Sequence, residues 1–234
     1  MFYRLRTKNG GPGPFAEWET CAHDLDSPVA QHNLTHDAFP DFEPEFQPVL
    51  LSRKSALVDF IDGFGMVGGQ GLLVSEKALG ILEAMKLPPY QTYPLEVVHE
   101  DKPVAGPRYF WMQILLIDNY GWIDFGASAF AMQSRFDFSE SQGESITIES
   151  EAALTRLIQR SDSENFWILF TRLALNDAYA RSPLDLFYMD RLNGPISGVP
   201  IISDKLKAAL ETEAVTGYKL DELPIVAVGG IPER

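Results

Sequence analysis

The chain is poor in three things, and each absence excludes something. It has a single cysteine, Cys21, in 234 residues. No internal disulfide can form, so a packed core must hold the fold, and a reducing compartment is its natural setting. It is short of cations: 19 Lys and Arg stand against 33 Asp and Glu, a formal net charge of −14. Such a chain repels polyanions unless a local basic patch intervenes. The sequence offers no such patch, which argues against nucleic acid and anionic membrane as partners. It also lacks a long apolar run. The longest, 109–117, is interrupted by Gln113 and falls far short of the ~20 residues that span a bilayer. Nine residues suit a buried strand. The stretch Met1 to Lys8 has no apolar core of the secretory type, and the expectation is a cytoplasmic protein.

What is present is an ordinary globular balance, 45% hydrophobic and 22% charged, well inside the range that can bury a core. At ~150 residues per domain the length suits one large domain or two small ones. The reading here is a single domain over 1–234, with an acidic, proline- and aromatic-rich segment at 9–50 and a main body at 51–234. Residues 2–7 alternate as a first strand, and Asn9 to Pro14 then breaks regular structure. Prolines 28, 40, 44 and 48 argue against a long helix before residue 50. Strands are expected at 56–61, 71–74, 92–98, 108–118, 145–148, 165–171, 184–189, 199–202 and 218–227. Helices are expected at 76–86, 150–160 and 204–213. Strands outnumber helices without alternating with them, so the expected class is α+β, a mostly antiparallel sheet with a few covering helices.

One internal repeat stands out. Residues 73–98 align without a gap onto 201–226, with seven of 26 positions identical. Each copy reads as a strand, a serine-capped helix and a strand. Ser75 and Ser203 are placed as N-caps, and Ser150 caps a further helix; serine oxygen accepts a backbone N–H from the first helical turn. Glu76 and Asp204 follow where the helix dipole favours an anion. A nucleophilic serine would want a sharp glycine-flanked turn and a histidine partner, and neither copy has them.

Four constellations bear on chemistry. His23, His32 and His36 lie near Cys21, Asp24, Asp26 and Asp37, donors that zinc accepts, but in no established ligand spacing. Gly63-Phe64-Gly65-Met66-Val67-Gly68 is a literal G-x-G-x-x-G. The dinucleotide fingerprint, however, needs a helix directly after it. Asp118 and Asp124 flank a turn-like Asn119-Tyr120-Gly121-Trp122, and paired carboxylates can do acid–base work when completed by other groups. No residue is assigned as catalytic, as a metal ligand or to a cofactor. The charge map is more pointed. No Lys or Arg lies between Lys8 and Arg53, where Glu17, Glu19, Asp24, Asp26, Asp37, Asp41, Glu43 and Glu45 fall. A second such stretch, between Arg135 and Arg156, holds Asp137, Glu140, Glu144, Glu149 and Glu151. Charge runs are usually solvated faces. Here Trp18, Phe39, Phe42 and Phe46 interleave the acids, and aromatic anchors amid charge are what a docking face for a basic protein uses.

Three stretches in order resemble a known family. They are 71–79 (Gly-Leu-Leu-Val-Ser-Glu-Lys-Ala-Leu), 122–128 (Trp-Ile-Asp-Phe-Gly-Ala-Ser) and 197–211 followed by Thr216-Gly217-Tyr218. They are similar to the motifs of bacterial polymorphic-toxin immunity proteins of family eleven, formerly a domain of unknown function, over roughly 57–226. The resemblance implies a non-enzymatic cytoplasmic protein, coded beside a toxin, that binds and neutralises it. It carries over no catalytic residue; Asp124 falls where the family has its central strand-end Asp. The expected partner is a basic toxin docking on Glu17, Trp18, Glu19, Asp24, Asp26, Asp37, Asp41, Glu43 and Glu45. Two other classes stay open: a hydrolase using Asp118, Asp124 or a metal at the histidines, and a structural or regulatory adaptor built on the two capped-helix units.

Overall fold

A computed structural model describes residues 1–7, 16–17, 27–51, 56–61, 71–99, 102–106, 108–136, 143–189, 191–192 and 198–227. The class is α+β, with short, mostly antiparallel sheets and four α-helices among the described residues. Where the sequence reads as one domain, the contacts divide the chain into two compact units. The early unit comprises Leu5–Ile117 and Lys205–Leu220, the late unit Met1–Arg4, Asp118–Asp204 and Asp221–Arg234.

In the early unit one sheet runs β4 (Phe60–Ile61), β5 (Gly71–Ser75), β9 (Tyr109–Ile114), β6 (Tyr90–Leu95), antiparallel throughout. A second runs β2 (Ala16–Glu17), β3 (Val49–Leu51), β7 (Val97–His99), β8 (Lys102–Pro103), with β3 and β7 parallel. The expected strand 92–98 is thus two strands parted at Glu96. Leu34, Val49, Leu51, Ile61, Leu73, Tyr93, Val97, Tyr109 and Trp111 form the core. Fully burying an aliphatic or aromatic side chain of this size is worth ~1.5–3 kcal/mol.

Helix α1 (Glu76–Glu83) begins where Ser75, in extended conformation, accepts a hydrogen bond from Ala78 N at 3.3 Å. It buries Ala78, Leu79 and Leu82, a spacing that turns one helical face to the sheet. Helix α4 (Asp204–Thr212) buries Leu206 and Leu210 in the same way. It is followed by Gly217 at φ +88°, where an added Cβ would lie 2.3 Å from the Phe60 carbonyl oxygen. Both the left-handed backbone and the close approach require glycine there. The next strand, β15 (Tyr218–Leu223), sets the Tyr218 ring 5.7 Å from Phe60.

In the late unit Phe2, Tyr3 and Arg4 of β1 (Phe2–Thr7) pair antiparallel with β14 (Ile201–Ser203), which pairs in turn with β13 (Leu186–Phe187). The other sheet has the order β11 (Glu144–Ile146), β10 (Ala129–Ser134), β12 (Phe166–Leu175), β16 (Ile225–Ala227), with β12 and β16 parallel. Helix α2 (Glu151–Glu164) starts at Ser150, whose hydroxyl accepts from Ala153 N at 3.3 Å, and ends on Asn165 in the left-handed conformation. It packs Leu154 and Ile158 into a core shared with Phe130, Ile168 and Leu173. Phe2, Trp122, Tyr179 and Phe187 make a cluster of edge-to-face and tilted rings with centroids 5.4–5.8 Å apart. Strand β10 and the short helix α3 (Asp177–Arg181) have no counterpart among the expected elements.

The repeat reaches beyond 73–98 and 201–226. At the same offset β5, α1, β6 and β7 match β14, α4, β15 and β16. Ser75 Oγ donates to Asp59 at 2.7 Å, and Ser203 Oγ donates to Asp185 at 2.8 Å. Ser75 N donates to the Asp59 carbonyl, Ser203 N to that of Asp185. Tyr109 of β9 lies opposite Ser75, and Phe2 of β1 lies opposite Ser203. Likewise β2–β3 and β3–β7 correspond to β10–β12 and β12–β16, antiparallel then parallel. Apart from β8 and β11, residues 1–103 and 109–227 therefore repeat one strand order; β9, which opens the second half, lies in the early unit, and the start of β1 lies in the late unit.

Candidate functional site

The acidic segment before residue 50 is described from Ser27 onward, and there it is a docked ribbon. Ala30, Gln31 and Leu34, around the 3₁₀ turn 31–33, are buried. Gln31 Oε1 accepts from Gln47 N at 3.0 Å, and Glu45 N donates to the Val29 carbonyl at 2.9 Å. These bonds tie the two ends of the ribbon together. The Phe46 ring lies 5.4 Å from that of Tyr93 in the early-unit core.

The middle of the ribbon is held by Gln113. This residue is fully buried on β9, and its amide donates to the carbonyls of Thr35 at 2.7 Å and Ala38 at 3.2 Å. Its Oε1 accepts from the Tyr93 hydroxyl at 2.9 Å, so donor and acceptor are both satisfied, as a buried amide requires. Burial raises the Tyr93 phenol pKa, which keeps that donor protonated. Leu116 N completes the seam by donating to the His36 carbonyl at 2.8 Å. With its inner edge fixed, the ribbon presents Asp37, Asp41, Glu43 and Glu45 to solvent, with Phe39 and Phe42 half-buried between them.

Of the other residues assigned to this face, Glu17 lies in β2, described there by its backbone alone. Trp18, Glu19, Asp24 and Asp26 lie outside the described residues, as do Cys21 and His23. Gln113 was not singled out in the sequence as a holder of this segment. The signal for it was present: a lone amide inside an otherwise apolar strand must find buried partners.

The second acidic stretch occupies the matching slot of the repeat. The ribbon belongs to the connection from β2 to β3, and 135–165 is the connection of equal length from β10 to β12. Glu144, Glu149 and Glu151 are exposed there; Asp137 and Glu140 lie outside the described residues. The connection is pinned by Asp162, whose carboxylate contacts Arg135 and Arg191, each at 2.6 Å. The two guanidiniums lower its pKa. Arg135 also covers the face of Trp167 at 4.3 Å, a cation–π contact.

Asp118 and Asp124 are engaged locally. Asp118 Oδ1 faces Tyr120 N at 3.4 Å, and Asp124 Oδ1 accepts from Ala127 N at 3.1 Å. Asp124 lines a cleft of about 370 Å³ with Asn176, Asp177, Ala178 and Arg181. That lining brings together two carboxylates, an amide and a guanidinium. Among the described residues no three His, Cys, Asp or Glu side chains are grouped to hold a metal ion. The glycine run 63–68 is not described. Ser75 and Ser203 are committed to Asp59 and Asp185, and no described helix is long and apolar enough to cross a membrane. Set against known proteins, the chain matches no family model and no curated sequence.

Proposed function

We propose that this chain is a binding protein of the immunity type, which recognises a basic toxin protein and neutralises it without catalysing a reaction. The observation that carries the reading is the ribbon itself, four exposed carboxylates on a backbone fixed from beneath by Gln113, Gln31 and Phe46. Exposed ion pairs are individually worth little, ~0–1 kcal/mol. Their contribution is steering and register, while half-buried aromatics such as Phe39 and Phe42 supply the anchors. A preset backbone also lowers the ordering cost of association. The motif resemblance supports the same class of partner.

The test is purification of the tagged protein from its host, with mass spectrometry of whatever accompanies it, followed by binding kinetics. A single basic partner at one-to-one stoichiometry is expected. Its association should slow at least tenfold at low salt when Asp37, Asp41, Glu43 and Glu45 are changed to Lys, with little difference at high salt. An association rate indifferent to these four changes would refute the ribbon as the docking face. Failure of the partner's toxicity to be relieved by co-expression would refute immunity.

A further inference from the structure

We propose that the groove between α1 and α4 in the early unit is a self-association surface that takes a second copy of this chain. The groove has a volume of about 450 Å³ and is lined by Lys77, Gly80, Ile81, Ala84 and Met85 from the α1 side and by Ala209, Thr212 and Glu213 from the α4 side. Three of these are matched positions of the repeat: Ile81 with Ala209, Ala84 with Thr212, Met85 with Glu213. Both walls thus use the same helical face, flanking the buried Ala78, Leu82, Leu206 and Leu210.

The two walls differ in what they present. The α1 wall carries Ile81, Met85 and the cation Lys77 beside the small Gly80 and Ala84; the α4 wall carries Ala209, Thr212 and the anion Glu213. A two-fold rotation through the groove exchanges the walls. Ile81 and Met85 of each copy then face the Ala209 and Thr212 side of the other, and Lys77 of each meets Glu213 of the other. Shape and charge are self-complementary, which is what an isologous interface requires. At Gly80 an added Cβ meets nothing within 4 Å among the described residues, so this part of the wall is open to a second backbone. Lys77 also donates to the Ala214 carbonyl at 3.2 Å, which aims its ammonium at the α4 wall and leaves donors to spare.

Two short helices per copy make a small interface, so the expected dissociation constant is micromolar. Sedimentation equilibrium of the full chain should show the average mass rising from one chain towards two across the micromolar range. Met85→Glu should weaken association at least tenfold, as should Lys77→Glu, which sets two anions against each other. The double change Lys77→Glu with Glu213→Lys should restore it, since reciprocal pairing is regained with both charges reversed. Circular dichroism establishes that each variant is folded. A mass that stays at one chain at every concentration would overturn the proposal. So would a dimer unmoved by Met85→Glu and Lys77→Glu, or one that the double change fails to recover.

Discussion

Asp59 carries more of the early unit than its half-buried position suggests, and replacing it with alanine measures how much. Its carboxylate accepts from Ser75 Oγ at 2.7 Å, Thr216 N at 2.8 Å and Thr216 Oγ1 at 3.0 Å, joining β5 to the chain that leaves α4. The Thr216 groups are exposed and rehydrate when the carboxylate goes. Ser75 is only 1% exposed, and its hydroxyl proton is left with no acceptor at a cost of ~1–3 kcal/mol. Adding the net loss of the charge-assisted bonds to Thr216, Asp59→Ala should destabilise by about 2–4 kcal/mol. Urea denaturation followed by circular dichroism measures this, and a thermal scan should move by ~2–4 °C per kcal/mol. Ser75→Ala loses the same bond together with the cap to Ala78, so the double variant should fall short of the sum by about 1–2 kcal/mol. A loss below ~0.5 kcal/mol for Asp59→Ala, the level of an ordinary surface change, would refute the reasoning, because it would mean that Ser75 finds another acceptor at no cost.

Gln113→Ala should release the acidic ribbon without unfolding the protein, because it removes both donors to the Thr35 and Ala38 carbonyls. Hydrogen exchange over 35–46 should speed up by at least tenfold while α2 is unchanged, and unaltered protection would show that Phe46 and Gln31 suffice. Alkaline titration should find Tyr109 protonated far above the ordinary phenol range. Burial, with Asp59 adding to it, pushes its pKa up to about 12, against ~10 in the unfolded chain. A folded pKa above the unfolded one gives stability that is whole below pH ~10 and is lost as pH rises towards 12. The part of the tyrosinate absorbance that Tyr109→Phe removes should therefore appear in a cooperative step with unfolding, and a smooth titration of that part near pH 10 would contradict the burial. In Asp59→Asn the Tyr109 pKa should move down, since a negative neighbour has been removed.

The class, the first strand at 2–7 and the helices α1, α2 and α4 were legible because their signals are local. Alternation marks β1, and serine followed by an acid and apolar residues four apart marks α1 and α4. The repeat was legible only where it runs without a gap. Asp59 precedes Ser75 by 16 positions, whereas Asp185 precedes Ser203 by 18, so a gapless alignment loses the shared latch. Strand β10 was missed because Ala129-Phe130-Ala131-Met132 has weak strand propensity, and its pairing with β12 decides the matter. The ribbon was visible as charge, but its fixation was not. The bonds from Gln113 to Thr35 and Ala38 span 78 and 75 positions, and no periodicity reports contacts that distant. Strand placement was hidden for the same reason: nothing near Phe2 says that its partner is Ser203.

That placement sets a timetable for synthesis. The strand that begins the sequence cannot pair until β14 leaves the ribosome some 200 residues later, since Phe2, Tyr3 and Arg4 lie opposite Ser203, Ile202 and Ile201. At ~5–20 residues per second that is roughly 10–40 s. For all of that time a strand bearing Phe2, Tyr3 and Leu5 has its backbone groups unpaired and its apolar face in water, the condition in which strand edges find wrong partners. In the early unit the central pairing forms sooner, because β9 arrives about 40 residues after β5, but its α4 and Thr216 come only after residue 200, as late as β14. Neither unit is therefore complete until the chain beyond residue 200 has emerged, and holding that first strand soluble becomes a task for the cell's chaperones as much as for the fold.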